Sequence, residues 1–412
     1  MKYDVIVVGA GPAGATAATV LAEQGKKVLL IDKEKFPRDK PCGGGLPTRV
    51  LQQFPFIQKF IDASSYGSIT YSSSLQYKLS IIRKKPMLFM IRRTVFDEGL
   101  VKRAEKKGVH LAFEKKVIDL CIYEDKAQVV LDTGEIFEAD LILGCDGTQS
   151  IVAEKSGLRS SPEPRCVCIV QEQPLERKQI TKFFTQKRIV HIFIKVKGIA
   201  GYGWVFPKKN SVNIGVGEFQ SAVGPEADKR NLKQVYEEFV ELLKKETIIP
   251  ADFPIENIRG GILPVFPLQK TYTHRVLLCG DAAGFINAIT GEGIYYAMKS
   301  GVLAAETSIK ACNIHDFSEK TLSNYQNLWK AAFGKDLELF GRFNNQWGKS
   351  SDHFIKLLSL DKTLAKLVIG ATGGQLSFSQ YKYIIFLRYL YVRMKSYLIW
   401  GKKEKKEGLF FP

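Results

Sequence analysis

The stretch from Tyr3 to Asp32 constrains the fold of this chain more than any other. Val5 to Val8 is an unbroken β-branched run that suits a parallel strand buried on both faces, and it ends at Gly9, where the chain must turn. In the Gly9-x-Gly11-x-x-Gly14 that follows, the first glycine permits the tight turn and the second lets the backbone approach a pyrophosphate. The third lets a helix pack closely on the strand. Ala13 to Gln24 is rich in helix formers, so its first N–H groups and the positive end of its dipole would face the phosphates. Val28 to Ile31 reads as a second buried strand, closed by Asp32, whose carboxylate would hold a ribose hydroxyl. Together these predict an α/β fold with a Rossmann-type domain on a parallel sheet and a bound dinucleotide. NAD and FAD fit this unit equally.

A chain of 412 residues is too long for one simple core and predicts a second domain built on the first. The net charge of +18 asks for an acidic partner: nucleic acid, an anionic membrane surface or a phosphorylated substrate. No zinc-finger spacing or RNA-binding signature is present, which argues against nucleic acid. The seven scattered cysteines, with a start that enters a core strand at once, predict a reducing cytoplasm rather than secretion. Cys166-x-Cys168 lacks the spacing of a metal pair and reads as buried thiols in a strand, and no metal is expected.

Beyond Asp32, Pro41-Cys42-Gly43-Gly44-Gly45 cannot be a helix or a good strand, so its backbone must come close to something. Placed after the ribose-binding acid, it reads as a loop along the ring end of the cofactor. Cys42 is its one reactive side chain, and reads equally well as a small buried thiol. Thr48 to Phe60 has helical periodicity, and Ser64 to Ile82 alternates as in an antiparallel sheet. Arg92 and Arg93 open a helix, where a cation does not help the dipole; either one of them reaches an anion or both are solvated. Gly108 to Val117 reads as a strand, and Gln128 to Phe137 as a hairpin turning at Asp132-x-Gly134.

Asp140 to Gly144 is an apolar strand running into Asp146-Gly147, a second glycine loop at the carboxyl end of the same sheet. Tyr202, Trp204 and Phe206 recur at period two and share one face of a strand, either as sheet core or as the wall of an apolar cavity. Glu226 to Glu246 reads as an amphipathic helix. The third segment runs through Gly280-Asp281 to Gly291-Glu-Gly293-Ile294 and opens a long helix to about Lys310. Asp281 is placed to accept from a ribityl or ribose hydroxyl, and the amides near Gly293 and Ile294 to meet a ring carbonyl or pyrophosphate.

After Lys310 the chain reads as helical. Tyr383 to Leu387 is far short of the roughly twenty apolar residues that span a bilayer. The aromatic and basic stretch Tyr381 to Trp400, followed by Lys402-Lys-Glu-Lys-Lys406, suits either a helix lying in a membrane interface or one packed on the protein's own core.

Three glycine segments in this order, Gly9 to Gly14, Cys145 to Ser150 and Gly280 to Ile294, resemble the flavoprotein group that includes the aromatic hydroxylases. Phe36-Pro-Arg-x-Lys40-Pro-Cys42-Gly-Gly, Arg93-x-x-Phe96-Asp97, Tyr202-x-Trp204-x-Phe206-Pro207 and Gly291-Glu-Gly-Ile294 narrow this to a resemblance to the geranylgeranyl reductase family, over roughly residues 1 to 310. The resemblance implies an FAD-dependent oxidoreductase that saturates isolated double bonds of geranylgeranyl chains in lipids, quinones or chlorophyll precursors, by hydride from reduced flavin. It implies FAD contacts at Gly9, Gly11, Ala13, Gly14, Asp32, Lys33, Cys42, Gly43, Gly45, Arg93, Val117, Asp281, Gly293 and Ile294, and a prenyl site lined by Tyr202, Trp204 and Phe206. Cys42 is the candidate catalytic residue, tuning the flavin or relaying protons.

Ile199 stands where the family has proline, and Ala153 where it has arginine, which leaves NAD(P)H, a ferredoxin or another reductase as the electron donor. The expected partners are a prenylated lipid and an anionic membrane surface, with the protein cytoplasmic and peripheral on the membrane's inner face. Two other readings compete: an FAD-dependent monooxygenase or halogenase on an apolar substrate, because the Tyr202 segment also resembles a halogenase signature, and a non-catalytic flavin-carrying protein at a membrane surface. The domain boundaries expected are 1–65, 88–160 and 268–310 for the FAD domain, 66–87 and 161–267 for the substrate domain, and 311–412 for a helical region.

Overall fold

A computed structural model describes residues 2–159, 164–220, 231–344 and 351–400. The chain divides into two compact units: Met1–Lys40, Arg93–Pro164 and Leu263–Glu338 form the first, and Pro41–Arg92, Arg165–Ile262 and Leu339–Pro412 the second. Residues 41–65 thus group with the second unit, because Gly45–Pro47, Leu88–Met90 and Ala63–Ser65 make a three-stranded antiparallel sheet of their own. The helical stretch beyond 310 is shared between the units rather than standing apart.

The first unit is built on an eight-stranded sheet. Its first strand, Lys2–Val8, runs parallel to Val28–Asp32 on one side and Ile136–Gly144 on the other, and His110–Phe113 and Val276–Leu278 extend the parallel region. Val5, Ile6 and Val7 are wholly buried, as the β-branched run requires of a strand covered on both faces. Val117–Ile122 and Ala127–Leu131 add an antiparallel flank. The stretch 108–117 is therefore not one strand: the chain turns between Phe113 and Val117, with Glu114 at φ 57°. The helices Pro12–Glu23 and Ile294–Ile314 pack closely, since a Cβ on Gly301 would overlap the Ala13 carbonyl.

The second unit holds a seven-stranded sheet in the order Arg259–Pro264, Arg165–Pro174, Ser211–Gln220, Gly201–Pro207, Val190–Ile194, Gly67–Tyr71, Lys78–Ile82. From Arg165–Pro174 to Lys78–Ile82 the ladders are antiparallel except for one: Val190–Ile194 runs parallel to Gly67–Tyr71. One face packs Val205, Val212, Ile214 and Val216 against Val235, Tyr236 and Phe239 of the helix Leu232–Lys245, capped by Asn231. The amphipathic helix expected from Glu226 is thus seen from Leu232; residues 226–230 lie outside the described residues, as does the basic tail 402–406. Pro55 breaks the expected Thr48–Phe60 helix into an α-helix, Thr48–Gln53, and a 3₁₀ turn, Pro55–Phe60.

The last helix, Phe378–Trp400, packs inward through Ile385, Tyr389 and Val392 against Leu358 and Leu364. It leaves Tyr383, Ile384, Leu387, Tyr391 and Met394 exposed. Among the described residues no helix is long and apolar enough to cross a membrane.

Candidate functional site

In the first unit the site begins at the turn after the first strand. Gly9 sits at φ +98°, donates to Ile31 O at 2.7 Å, and has no room for a Cβ against the main chain of Cys145 and Asp146. A Cβ on Gly14 would overlap the Gly9 carbonyl. Gly11 differs: the nearest atom to a Cβ there is Arg38 Nη2 at 3.5 Å, so the protein's own packing does not demand glycine. The clearance is what a ligand approaching the backbone would occupy. Behind it lies the start of the Pro12–Glu23 helix, whose first N–H groups have no intrahelical partner. Asp32 receives Ala10 N at 2.7 Å and Glu34 N at 2.9 Å, which orients a nearly buried carboxylate with acceptor capacity remaining.

Arg93 forms a bidentate pair with the fully buried Asp97, at 2.8 and 2.6 Å, and Arg38 Nη1 stands 3.1 Å from the same carboxylate. Two guanidinium groups on one carboxylate give this cluster an excess positive charge, with Arg38 beside Gly11. Arg92, in the second unit, reaches Asp62 at 3.2 Å, so both arginines of the pair meet carboxylates. The open space at Gly11, the oriented Asp32 and this positive excess fit the pyrophosphate and ribose of a dinucleotide.

The other two glycine segments are fixed by side chains whose roles were not foreseen. Arg159 donates to Thr148 O at 2.6 Å and to Ala282 O at 3.1 Å, tying the Asp146-Gly147 loop to the Asp281 turn. Asp146 accepts from Ser150 Oγ at 2.5 Å, and burial pushes its carboxyl pKa up. Asp281 pairs with Lys40 at 3.2 Å, and its Oδ1 lies 3.4 Å from where a Gly293 Cβ would stand. Asn287 Oδ1 accepts from Ile289 N and Thr290 N and holds the loop before Gly293 and Ile294, which begin the 21-residue helix. Gly280 approaches Ala13, so Asp281, Gly293 and Ile294 belong to the same neighbourhood as the first helix. Lys33 is exposed and Val117 is buried opposite Leu131; neither is joined by a side-chain hydrogen bond or ion pair to the other candidates.

In the second unit Cys42 and Gly43 are brought to the aromatic strand. A Cβ on Gly43 would stand 2.9 Å from Phe206 Cε2 and 3.1 Å from Trp204 Nε1, and one on Gly45 would lie 3.1 Å from Phe206. Cys42 Sγ accepts from Gly44 N at 3.3 Å. Tyr202, Trp204 and Phe206 form one row of neighbouring rings, with centroids 5.8 and 6.3 Å apart. Cys168, Val170 and Ile192 complete the apolar face. The cross-strand partners of Tyr202 and Trp204 are Gly217 and Gly215, so the rings lie across bare backbone. Burial, with the thiols of Cys166, Cys168 and Cys42 nearby, pushes the Tyr202 phenol pKa up and keeps the ring neutral.

A polar edge borders this face. Asn213 lies across from Phe206 and Glu172. Its Nδ2 donates to Cys42 O at 3.1 Å and Glu172 Oε2 at 2.8 Å, while its Oδ1 accepts from Trp204 Nε1 at 2.8 Å. Glu172 also receives Lys208 Nζ and Ser211 Oγ, both at 2.5 Å. Sequence reasoning missed this edge, because the pairing of three strands, and no spacing within any one of them, places Glu172 and Asn213 on the same face as the aromatics.

Comparison with known proteins places this geometry. Residues 2–312 match the FAD binding domain family. The digeranylgeranylglycerophospholipid reductase of Methanocaldococcus jannaschii is 32% identical over 340 residues, covering 80% of this chain and 82% of that protein. Among solved structures, a geranylgeranyl bacteriochlorophyll reductase-like protein from Thermoplasma acidophilum shares the fold, with a TM-score of 0.77 at 22% identity over 92% of this chain and 98% of that one. A flavin-dependent brominase also shares the fold, with a TM-score of 0.70 at 18% identity, covering 91% of this chain and 94% of its own.

Proposed function

This chain belongs to the geranylgeranyl reductase family of FAD-dependent oxidoreductases, and we propose that it saturates isolated double bonds of a prenylated glycerophospholipid whose hydrocarbon lies along the Tyr202–Trp204–Phe206 face. The observation that carries this reading is the glycine backbone at Cys42-Gly43 laid against Trp204 and Phe206 on an apolar face. An unactivated alkene offers no carbonyl to polarise, so its site needs close positioning and exclusion of water, which aromatic rings over bare backbone supply.

FAD, when bound and reduced, supplies the hydride that one alkene carbon receives. In the first unit the amides of Gly11, Ala13 and Gly14 would hold the pyrophosphate and Asp32 the ribose, while Asp281 and the amides at Gly293 and Ile294 serve further hydroxyl and carbonyl groups. In the second, Gly43 and Gly45 leave bare backbone beside the rings of Trp204 and Phe206. The Cys42 thiol would relay the proton to the other alkene carbon. NAD(P)H or a ferredoxin-class carrier would reload the cofactor.

The head of such a lipid is anionic. A cavity of about 560 Å³ in the second unit, lined by Arg83, Lys84 and Lys85 together with Leu51 and Phe89, offers both cations and apolar side chains. The exposed Tyr383, Leu387, Tyr391 and Met394 with Lys382 on one helix, and the overall charge of +18, support docking on an anionic membrane surface.

The test is anaerobic: reduced protein is mixed with a digeranylgeranyl phospholipid and the lipid mass is followed. Gains of about 2 Da per bond without oxygen are expected from hydride and proton addition; a strict oxygen requirement would replace this reading with an oxygenase. Cys42→Ala should slow turnover, and unchanged turnover with an unchanged flavin spectrum would remove Cys42 from the mechanism.

A further inference from the structure

Asn213 touches both the Cys42 peptide and the Trp204 indole. Its amide is fully engaged: Oδ1 accepts from the indole, and Nδ2 divides its donors between the Cys42 carbonyl and Glu172. Asn213 is 2% exposed, so these partners replace water rather than supplement it. The amide orientation is dictated, since reversing it would set a donor against the indole N–H and an acceptor against two acceptors. Glu172 is itself anchored by Lys208 and Ser211, and Lys208 is only 2% exposed. A lysine this buried needs its carboxylate. Lys208 Nζ also lies 3.2 Å from where a Gly44 Cβ would stand, so the pair reaches the same glycine loop from a second side.

Resting on the reductase reading above, we propose that Asn213, clamped by the Glu172–Lys208 pair, is the positioning residue that registers the Cys42-Gly43 peptide against the aromatic face. It touches neither the reacting carbons nor the cofactor in this role; it fixes where the Cys42 thiol and the Trp204 ring stand relative to each other. An apolar residue of the same size would leave the Cys42 carbonyl and the indole N–H without their partner. The loop would then sample orientations in which the thiol is misplaced, and turnover would fall while the hydrocarbon still binds the face.

The experiment compares Asn213→Leu, Glu172→Leu and Glu172→Gln with the native holoenzyme, after circular dichroism and flavin content show each to be folded and loaded. For the leucine variants, kcat for the prenyl phospholipid should fall about tenfold or more, with KM within about twofold, the split expected of lost alignment rather than lost binding. Alkylation of Cys42 by iodoacetamide, corrected for the other thiols with Cys42→Ser, should quicken severalfold. Glu172→Gln, which keeps an acceptor for Lys208 and Asn213, should retain most of the turnover and the native alkylation rate. Folded, loaded leucine variants with native kcat and native alkylation would overturn the proposal, as would a loss confined to KM. If the native protein reduces no prenyl chain, the reductase reading fails on its own. The alkylation rates of the three variants then still decide the positioning role, supporting it if only the leucine variants quicken and overturning it otherwise.

Discussion

Trp204 lies directly across from Gly215 on the neighbouring antiparallel strand, and its indole fills the space that a side chain at 215 would occupy. Gly215→Val should therefore drive the ring off the face. Overpacking of this kind costs about 1–3 kcal/mol. Thermal melts should show the loss, and kcat should fall further than the same destabilisation placed at a surface position.

Gly14→Val puts a side chain into the Gly9 carbonyl and should open the first turn. The purified variant should carry little flavin by absorbance. Native flavin content in a folded variant would count against the turn as the cofactor's seat.

His191 is buried beneath Tyr71, with Nδ1 3.0 Å from the phenol oxygen, and burial pulls its pKa from 6.5 to about 4. The unfolded chain takes up this proton near 6.5 and the folded chain only near 4. The neutral ring's contribution is therefore complete above pH 6.5 and is lost as pH falls towards 4, by about 3 kcal/mol in all. In His191→Phe this part of the slope should vanish, seen as a smaller difference in Tm between pH 7 and pH 5 than in the native protein.

Reversing charge in the basic cavity with Arg83→Glu and Lys85→Glu should raise KM for a substrate with an anionic head, by about tenfold or more, while leaving kcat near native. A prenyl alcohol without the phosphate should show no such change. Equal effects on both substrates would place the head group elsewhere.

Replacing Tyr383, Leu387 and Tyr391 with serine should weaken sedimentation with vesicles of anionic phospholipid and leave Tm almost unchanged, because these side chains are already exposed. Vesicle binding that survives both this change and high salt would rule out the last helix as the docking element.

Much of the first unit was legible in the sequence because its constraints are local. The β-branched run at Val5 to Val8, the glycine spacing and Asp32 lie within one supersecondary unit, and each answers to steric rules that act over a few residues. The aromatic row was legible as a face for the same reason, since period two is enough to place it. Glu172 and Asn213 were not, because their meaning depends on which strand lies beside which: Glu172 faces Asn213 through the register of one ladder, and Asn213 faces Phe206 through that of the next. Lys40 pairing with Asp281, and Arg159 holding two loops, were hidden for the same reason. The break at Pro55, by contrast, was written in the residue itself.

The glycines that open the backbone around the first turn and the Cys42 loop have one more consequence. Main-chain amides neither gain nor lose protons at physiological pH, so a cofactor held chiefly by them is gripped equally at any acidity the cell offers. On the proposed reading, in which the Cys42 thiol relays the proton, acid chemistry and cofactor affinity would be separately adjustable in this scaffold.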